Sequence, residues 1–391
     1  MPRGRALFLA PECPYPTQGG GMLRSASVLE YLARRYEVDV IVFREPGASH
    51  PGKAIPGGTA RDIHVLDLPR HRRDVLSRAS RNLSRLARGV PPLMDRFDGF
   101  AQNIADFLGG RRYDVAVVEH FWCAPYWEQV SRASTRTVLN LHNIESVLHE
   151  RCAATQRGPA GLAHRIFRDA ARSLEKHWLP RYDTLLTASD HDAAMAQRLS
   201  PASKIIVYPN AIPLVPQPDV AERNVVAFSG NLKYHPNLSA VRFFRLEIWP
   251  LLRKQWPGLI WRLIGKNSEA VEKHTHGDER IELSGPVEDA ISELAAAKVV
   301  VVPLLAGSGT RFKVIEAWAA GRAVVSTRIG VEGLPARDGE NVLLADQAAG
   351  FADAVSLLLT SADIRAQLGQ RGRVLFESEF TWEKAWQNLD L

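Results

Sequence analysis

Cysteine is scarce in this sequence, with three residues in 391, Cys13, Cys123 and Cys152. An odd and widely spaced set builds neither a disulfide framework nor a cysteine-rich zinc site, and it suits a reducing compartment. Long apolar runs are missing as well. No hydrophobic stretch follows the opening MPRGR, and residues 6–10 are far too few to span a bilayer. The expectation is therefore a cytoplasmic chain. Nor is there a large excess of one charge, since the formal net charge is +6. No binding motif or interleaved aromatic set accompanies the basic residues, so nucleic acid is not an expected partner.

What charge imbalance there is lies in one place. Residues 70–96 hold eight arginines and two aspartates, a net charge equal to that of the whole chain. Val75, Leu76, Leu83, Leu86 and Val90 interleave with them at helical spacing. That pattern fits a helix lying on the inner face of an anionic membrane, and equally a solvated basic face behind a stripe that points into a core.

The length suggests more than one core, with two domains as the working number. Short apolar runs at 5–10, 37–43, 63–68, 113–120, 135–146, 182–189 and 204–212 alternate with helical spacings. After a proline-rich linker at 212–223 the pattern restarts at 224–230, 259–265, 280–285, 298–304, 322–327 and 341–345. Strands alternating with helices predict two doubly wound parallel sheets, 1–211 and 212–375, with the final helical stretch 376–391 returning to the first. Two such domains facing one another create a cleft at the carboxyl ends of the strands, where ligands bind in open α/β folds.

The most informative stretch is 299–325. A β-branched run leads into a loop with Gly307 and Gly309, then a helix over 311–321, then a further strand. A loop feeding a helix N-terminus presents N–H groups and a favourable dipole to an anion. Arg311 and Lys313 put two cations in the first helical turn, where the dipole alone disfavours them; a polyanion held between loop and side chains resolves the conflict. Glu316, three residues beyond Lys313, shares its face and is suited to a polar ligand or to an ion pair. The competing description is a solvated glycine turn with a surface ion pair. Near the N-terminus, Gly19, Gly20 and Gly21 stand between a strand and a helix, where backbone can approach a ligand closely. His142 closes the apolar run TRTVLNLH, and Glu145 either orients it or opens the next helix. Asp190-His191-Asp192 has the spacing of a metal site, but capping and dipole pairing at a helix start explain it without one. No metal and no cofactor is expected.

Taken together, GSGTRFKVIEAWAAGRAVVSTRIGVEGL (307–334), the triglycine loop, LHNIES, YPNAI, FSGNLKYHPN and GPVEDA resemble the retaining glycosyltransferases of the GT-B fold, family 4 (glycosyl transferases group 1), in a branch with a GSGTRxK motif. The resemblance covers essentially the whole chain. It implies two Rossmann-like domains and transfer of a sugar, with retention and without metal, from a nucleoside-diphosphate sugar to a glycan or lipid-linked acceptor in cell-surface polysaccharide synthesis. It places His142 near the donor sugar, Val287 near the base, Glu316 on the ribose, and Gly307, Ser308, Gly309, Thr310, Arg311 and Lys313 around the diphosphate. Gly19, Gly20, Gly21, Gly230, Asn231 and Lys233 complete the donor site. Three positions depart from the family pattern: Ser308 stands where a sugar-binding glutamate is usual, and Asn231 and Asn237 stand where an arginine and a lysine are usual. Arg311 and Lys313, with Lys233, would replace those cations. The alternatives are a nucleotide-sugar epimerase of the same architecture, for which the sequence supplies few clustered acid–base groups, and a catalytically weak sugar-nucleotide-binding subunit.

Overall fold

The β-branched and aliphatic runs do form strands, and because they are apolar on both faces they are buried in parallel sheets. A computed structural model describes residues 4–17, 19–72, 74–155, 158–307 and 311–391. It divides into two compact units, Met1–Pro209 with Trp386–Leu391, and Asn210–Ala385.

In the first unit β1 (Gly4–Ala10), β2 (Tyr36–Arg44), β3 (Asp62–Asp67), β4 (Tyr113–Glu119), β5 (Ser134–Asn140), β6 (Thr184–Thr187) and β7 (Lys204–Val207) make one sheet in the order β3-β2-β1-β4-β5-β6-β7. Every pairing in it is parallel. In the second unit β8 (Arg223–Ser229), β9 (Ile260–Ile264), β10 (Ile281–Leu283), β11 (Ala297–Val302), β12 (Ala323–Ser326) and β13 (Leu343–Leu344) are ordered β10-β9-β8-β11-β12-β13. These too pair in parallel. In each sheet the winding reverses beside its first strand, between β1 and β4 and between β8 and β11. Just outside the carboxyl ends at such a reversal, two loops diverge and leave a crevice for a ligand.

The returning C-terminal segment is shorter than 376–391. The helix Ala362–Glu379 stays with the second unit because two glycines let it lie against that unit's backbone. A Cβ on Gly369 would fall 2.3 Å from the Gly321 carbonyl oxygen, and one on Gly372 would fall 2.2 Å from the Trp318 ring. Only Trp386–Leu391 joins the first unit, where Trp386 Nε1 donates to the Ser27 carbonyl at 3.1 Å and Tyr31 Oη donates to the Leu389 carbonyl at 2.8 Å. The proline-rich linker is likewise held by side chains of the second unit: Arg373 donates to the Val215 carbonyl at 2.6 Å, and Arg322 and Arg365 both pair with Glu222.

The arginine-rich segment forms the helix Val75–Arg88, capped by the Asp74 carboxylate accepting from Ser77 N–H and closed by Gly89 in the left-handed region. The apolar stripe divides: Leu86 is half-buried and Val90 packs against the core, while its N-terminal part faces solvent. Val75, Leu76 and Leu83 are 79%, 83% and 70% exposed. Arg85 and Arg88 both pair with Asp95, and Arg81 donates to the Arg72 carbonyl. No helix among the described residues is long and apolar enough to cross a membrane.

Candidate active site

At the reversal of the second sheet, β8 ends on Ser229 with Gly230 just beyond it, and β11 leads to the loop containing Gly307. The helix that follows runs Phe312–Ala319, with Arg311 as its N-cap rather than in its first turn. Its buried face carries Val314, Ile315 and Trp318, which fixes the rotation that turns Lys313 and Glu316 toward β8. Lys313 Nζ donates to Asn237 Oδ1 at 2.7 Å and lies 3.9 Å from the centre of the Phe228 ring. Ser229 Oγ donates to Glu316 Oε2 at 3.4 Å. Burial brings Lys313 down to about 7, helped by Arg311 and resisted by Glu316. Burial raises Glu316, with Lys313 and the Ser229 hydroxyl opposing.

The glycines here are required by close approach. Gly230 has φ 141°, and a Cβ on it would lie 2.8 Å from Asn237 Nδ2 and 3.1 Å from Lys313 Nζ. Gly265 has φ 137° and packs directly on the Gly230 carbonyl. Gly307, at φ 137°, lies under the Arg311 guanidinium, which would be 2.9 Å from its Cβ. Arg311 is almost wholly buried. Asn237 also donates to the Asn231 carbonyl at 2.8 Å, and Asn231 Oδ1 accepts from Asn267 Nδ2 at 2.8 Å. Lys313, on the helix Phe312–Ala319, thus sets its amine against Asn237. A cation, a carboxylate and a cap arginine converge where two strands diverge, an arrangement suited to a polyanion with vicinal hydroxyls.

Gly230, Asn237, Arg311, Lys313 and Glu316 are brought to this one reversal, and Asn231 supports it. Lys233 is exposed. Val287 is half-buried in the loop between β10 and the helix Ala290–Ala295, and among the described residues none of the hydrogen bonds above involves it. Ser308, Gly309 and Thr310 lie outside the described residues.

A second polar cluster sits at the reversal of the first sheet. β5 ends at Asn140, so His142 lies two residues beyond the strand rather than on it. Its Nε2 is 2.7 Å from Glu119 Oε2, at the last position of β4. Glu119 is fully buried and also accepts from Ser25 Oγ at 2.8 Å and Asn140 Nδ2 at 3.0 Å. Buried Arg24 donates to Asn140 Oδ1 at 2.9 Å and to the Tyr208 carbonyl at 2.6 Å. Burial raises Glu119 against the pull of Asn140 and Ser25, and it holds His142 well below its ordinary value, with Arg24 acting in the same direction. The residue that orients His142 is therefore Glu119, not Glu145. Glu145 opens the helix Glu145–Thr155 and accepts from Trp122 Nε1 at 3.0 Å; burial and Glu175 raise it to about 7. Gly20 and Gly21 start the helix Gly20–Ala33, with Gly19 as a cap that carries no side chain. Glu119, His120, Arg24 and Asn140 were not singled out from the sequence, although Glu119-His120 directly follows an apolar run. Asp190 and Asp192 lie in the first turn of the helix Asp190–Leu199, whose cap is Ser189: Ser189 Oγ accepts from Asp192 N–H at 3.1 Å and donates to its carboxylate at 2.9 Å.

Residues 223–361 match the family described as Glycosyl transferases group 1. Along 363 residues, 89% of each chain, the sequence is 22% identical to an uncharacterized 44.6 kDa protein in the cps region of Klebsiella pneumoniae. Over 134 residues it is 31% identical to the lipopolysaccharide core biosynthesis glycosyltransferase LpsE of Rhizobium meliloti, covering 32% of this chain and 39% of that one. Among solved structures, sucrose-phosphate synthase from Thermosynechococcus elongatus superposes with a TM-score of 0.72 at 18% identity, over 98% of this chain and 97% of that one. Anabaena HepE in complex with UDP and glucose gives 0.64 at 14% identity, over 98% and 97%. The superpositions show the GT-B fold, and with the domain match they define a glycosyltransferase.

Proposed function

We propose that the chain moves a sugar from a nucleoside-diphosphate donor to a glycan or lipid-linked acceptor, with retention at the anomeric carbon, in the assembly of a surface polysaccharide. The observation that carries this is the Lys313–Asn237 contact beside Glu316 and Arg311 at the reversal of the second sheet. A diphosphate laid there meets Lys313 and Arg311, while the Glu316 carboxylate accepts from a vicinal diol such as that of ribose. The solved HepE complex contains UDP and glucose, LpsE acts in lipopolysaccharide core synthesis, and the Klebsiella relative lies in a cps region. The first supports a nucleotide-sugar donor and the second a glycan product.

Charge that develops on the departing diphosphate is met by side chains already aimed at it, which makes it a metal-independent reaction in this reading. The leaving phosphate oxygen takes the acceptor proton as the new glycosidic bond forms on the same face of the sugar. The enzyme contributes position and charge. The test is to incubate the protein with UDP- and GDP-sugars and candidate oligosaccharide acceptors, follow release of free diphosphate, and read the product's anomeric configuration by NMR. Acceptor-dependent release that gives the donor's own configuration and is insensitive to EDTA is the expected result. Inversion, loss of activity with EDTA, or interconversion of the donor without an acceptor contradicts it. The exposed apolar residues and arginines of the helix Val75–Arg88 suit an anionic lipid surface, and we assign that helix to peripheral membrane contact.

A further inference from the structure

The unit Asn210–Ala385 carries a second polar cluster at the end of its sheet opposite Lys313. Where the chain enters β8 and β12, at the amino ends of those strands, Gln217, Glu222, Gly321, Arg322, Arg365 and Gln370 line a cavity of about 200 Å³. Pockets for drug-sized ligands run to roughly 300–1,000 Å³, so this one suits a smaller occupant. Two arginines withdrawn from water make its inner wall, the side chains of Arg322 and Arg365 being 12% and 10% exposed. Both hold Glu222. Arg365 Nη2 donates to Glu222 Oε2 at 2.7 Å and its Nη1 to the Leu358 carbonyl at 2.7 Å, whereas Arg322 donates to Glu222 through Nη1. Among the described residues, Arg322 Nε is buried with no hydrogen-bond partner, and a buried donor left unmade costs stability unless something else completes it. Gly321, at φ 67°, lets the Gln217 amide close on the backbone, since a Cβ there would stand 2.4 Å from the amide nitrogen.

We propose that this cavity binds a small oxyanion, a phosphate or a carboxylate group, on Arg322. The site is separate from the one that holds the diphosphate, and it does not depend on the glycosyl-transfer reading. Glu222 shows what the arginine pair accepts, because a carboxylate already lies along one edge of it. A guanidinium has a further edge, where Nε and a terminal nitrogen donate side by side to two oxygens of a phosphate or carboxylate. At Arg322 the Nε of that edge is the unfilled donor. Charge points the same way: the lining sets two arginines against one glutamate and leaves the cavity positive. Burial lowers Arg322, with Arg365 acting in the same direction and Glu222 opposing, and a further negative charge beside it offsets that cost. Gln217 and Gln370, exposed at the rim, add amide donors without adding charge.

Thermal unfolding at fixed ionic strength tests the site, with sodium phosphate and sodium acetate as probes and sodium chloride as the reference. Either probe, over a millimolar series, should raise the melting temperature of the wild type above that in chloride, and the rise yields an apparent dissociation constant. The probe with the smaller constant identifies the class of oxyanion. R322K keeps a positive charge but has no Nε edge, and it should weaken binding on the order of tenfold. E222Q removes the neighbouring carboxylate and should tighten binding, a change of opposite sign that a merely structural ion pair would not produce. Q370E alters one exposed residue of the helix Ala362–Glu379, which leaves the fold intact, and the negative charge it adds at the rim should weaken binding severalfold. The rise should persist in R311A/K313M. Its loss there would place the anion at the diphosphate site and overturn the proposal. So would no rise in the wild type, or the same dissociation constant in R322K, E222Q, Q370E and wild type, which would mark the general effect of these salts on protein surfaces.

Discussion

Lys313 Nζ and Asn237 Oδ1 lie 2.7 Å apart although 76 residues separate them in the chain. The contact joins the helix after β11 to the segment after β8, and it sets the amine in surroundings that bring it down to about 7. In the free protein this amine is charged below pH 7 and loses its proton above it. A bound diphosphate favours the charged form, so binding takes up a proton at alkaline pH. Above pH 7 affinity for a nucleoside diphosphate should fall by about tenfold per pH unit until the liganded amine itself titrates. Titration calorimetry from pH 6 to 9, in buffers of differing ionisation enthalpy, reads both the slope and the proton. The K313R variant, charged throughout, should lack the fall above pH 7.

Gly307 → Ala tests the packing under Arg311. The added methyl would sit 2.9 Å from the guanidinium on a backbone at φ 137°. The expected result is a loss of about 1–2 kcal/mol in stability and on the order of tenfold in diphosphate affinity. Wild-type affinity in the folded variant would detach Arg311 from the ligand.

Glu119 accepts hydrogen bonds from Ser25 and Asn140 and lies 2.7 Å from His142 Nε2, inside the first unit. E119Q replaces one carboxylate oxygen with an amide NH2 that faces donors. It should cost about 2–3 kcal/mol by urea denaturation. A cost below about 0.5 kcal/mol would mean that His142 is not held by this carboxylate.

The exposed helix makes a separate claim. Wild-type protein should float with phosphatidylglycerol vesicles, and a variant carrying L76S, L83S and R81E should not, with thermal stability preserved because Leu76 and Leu83 are exposed. Arg85 and Arg88 are left in place because both already pair with Asp95. Equal flotation of the two proteins, or none by either, removes the membrane from the account.

The two sheets were legible because a parallel strand buried on both faces reads as an apolar run, and the runs at 37–43 and 298–304 became β2 and β11 almost residue for residue. The face shared by Lys313 and Glu316 was legible from their spacing on one helix. Contacts between distant segments were not. Nothing local marks Asn237 as the acceptor for Lys313, or Glu119 as the partner of His142. Nor does helical spacing say which way a stripe faces: Val75, Leu76 and Leu83 have the period of a core face and stand in solvent. The extent of the returning tail was misjudged because Gly369 and Gly372 matter through what they touch, Gly321 and Trp318, rather than through any local pattern.

The central claim is that the second unit holds a nucleoside diphosphate with Arg311 and Lys313. The most direct measurement titrates UDP, GDP and ADP into the wild-type protein and into the double variant R311A/K313M, with folding of both checked by circular dichroism. The wild type should bind at least one of the three at micromolar concentration, and the double variant on the order of 100-fold more weakly. A wild-type protein that binds none of them, or a double variant that binds within a few-fold of wild type, would contradict the account.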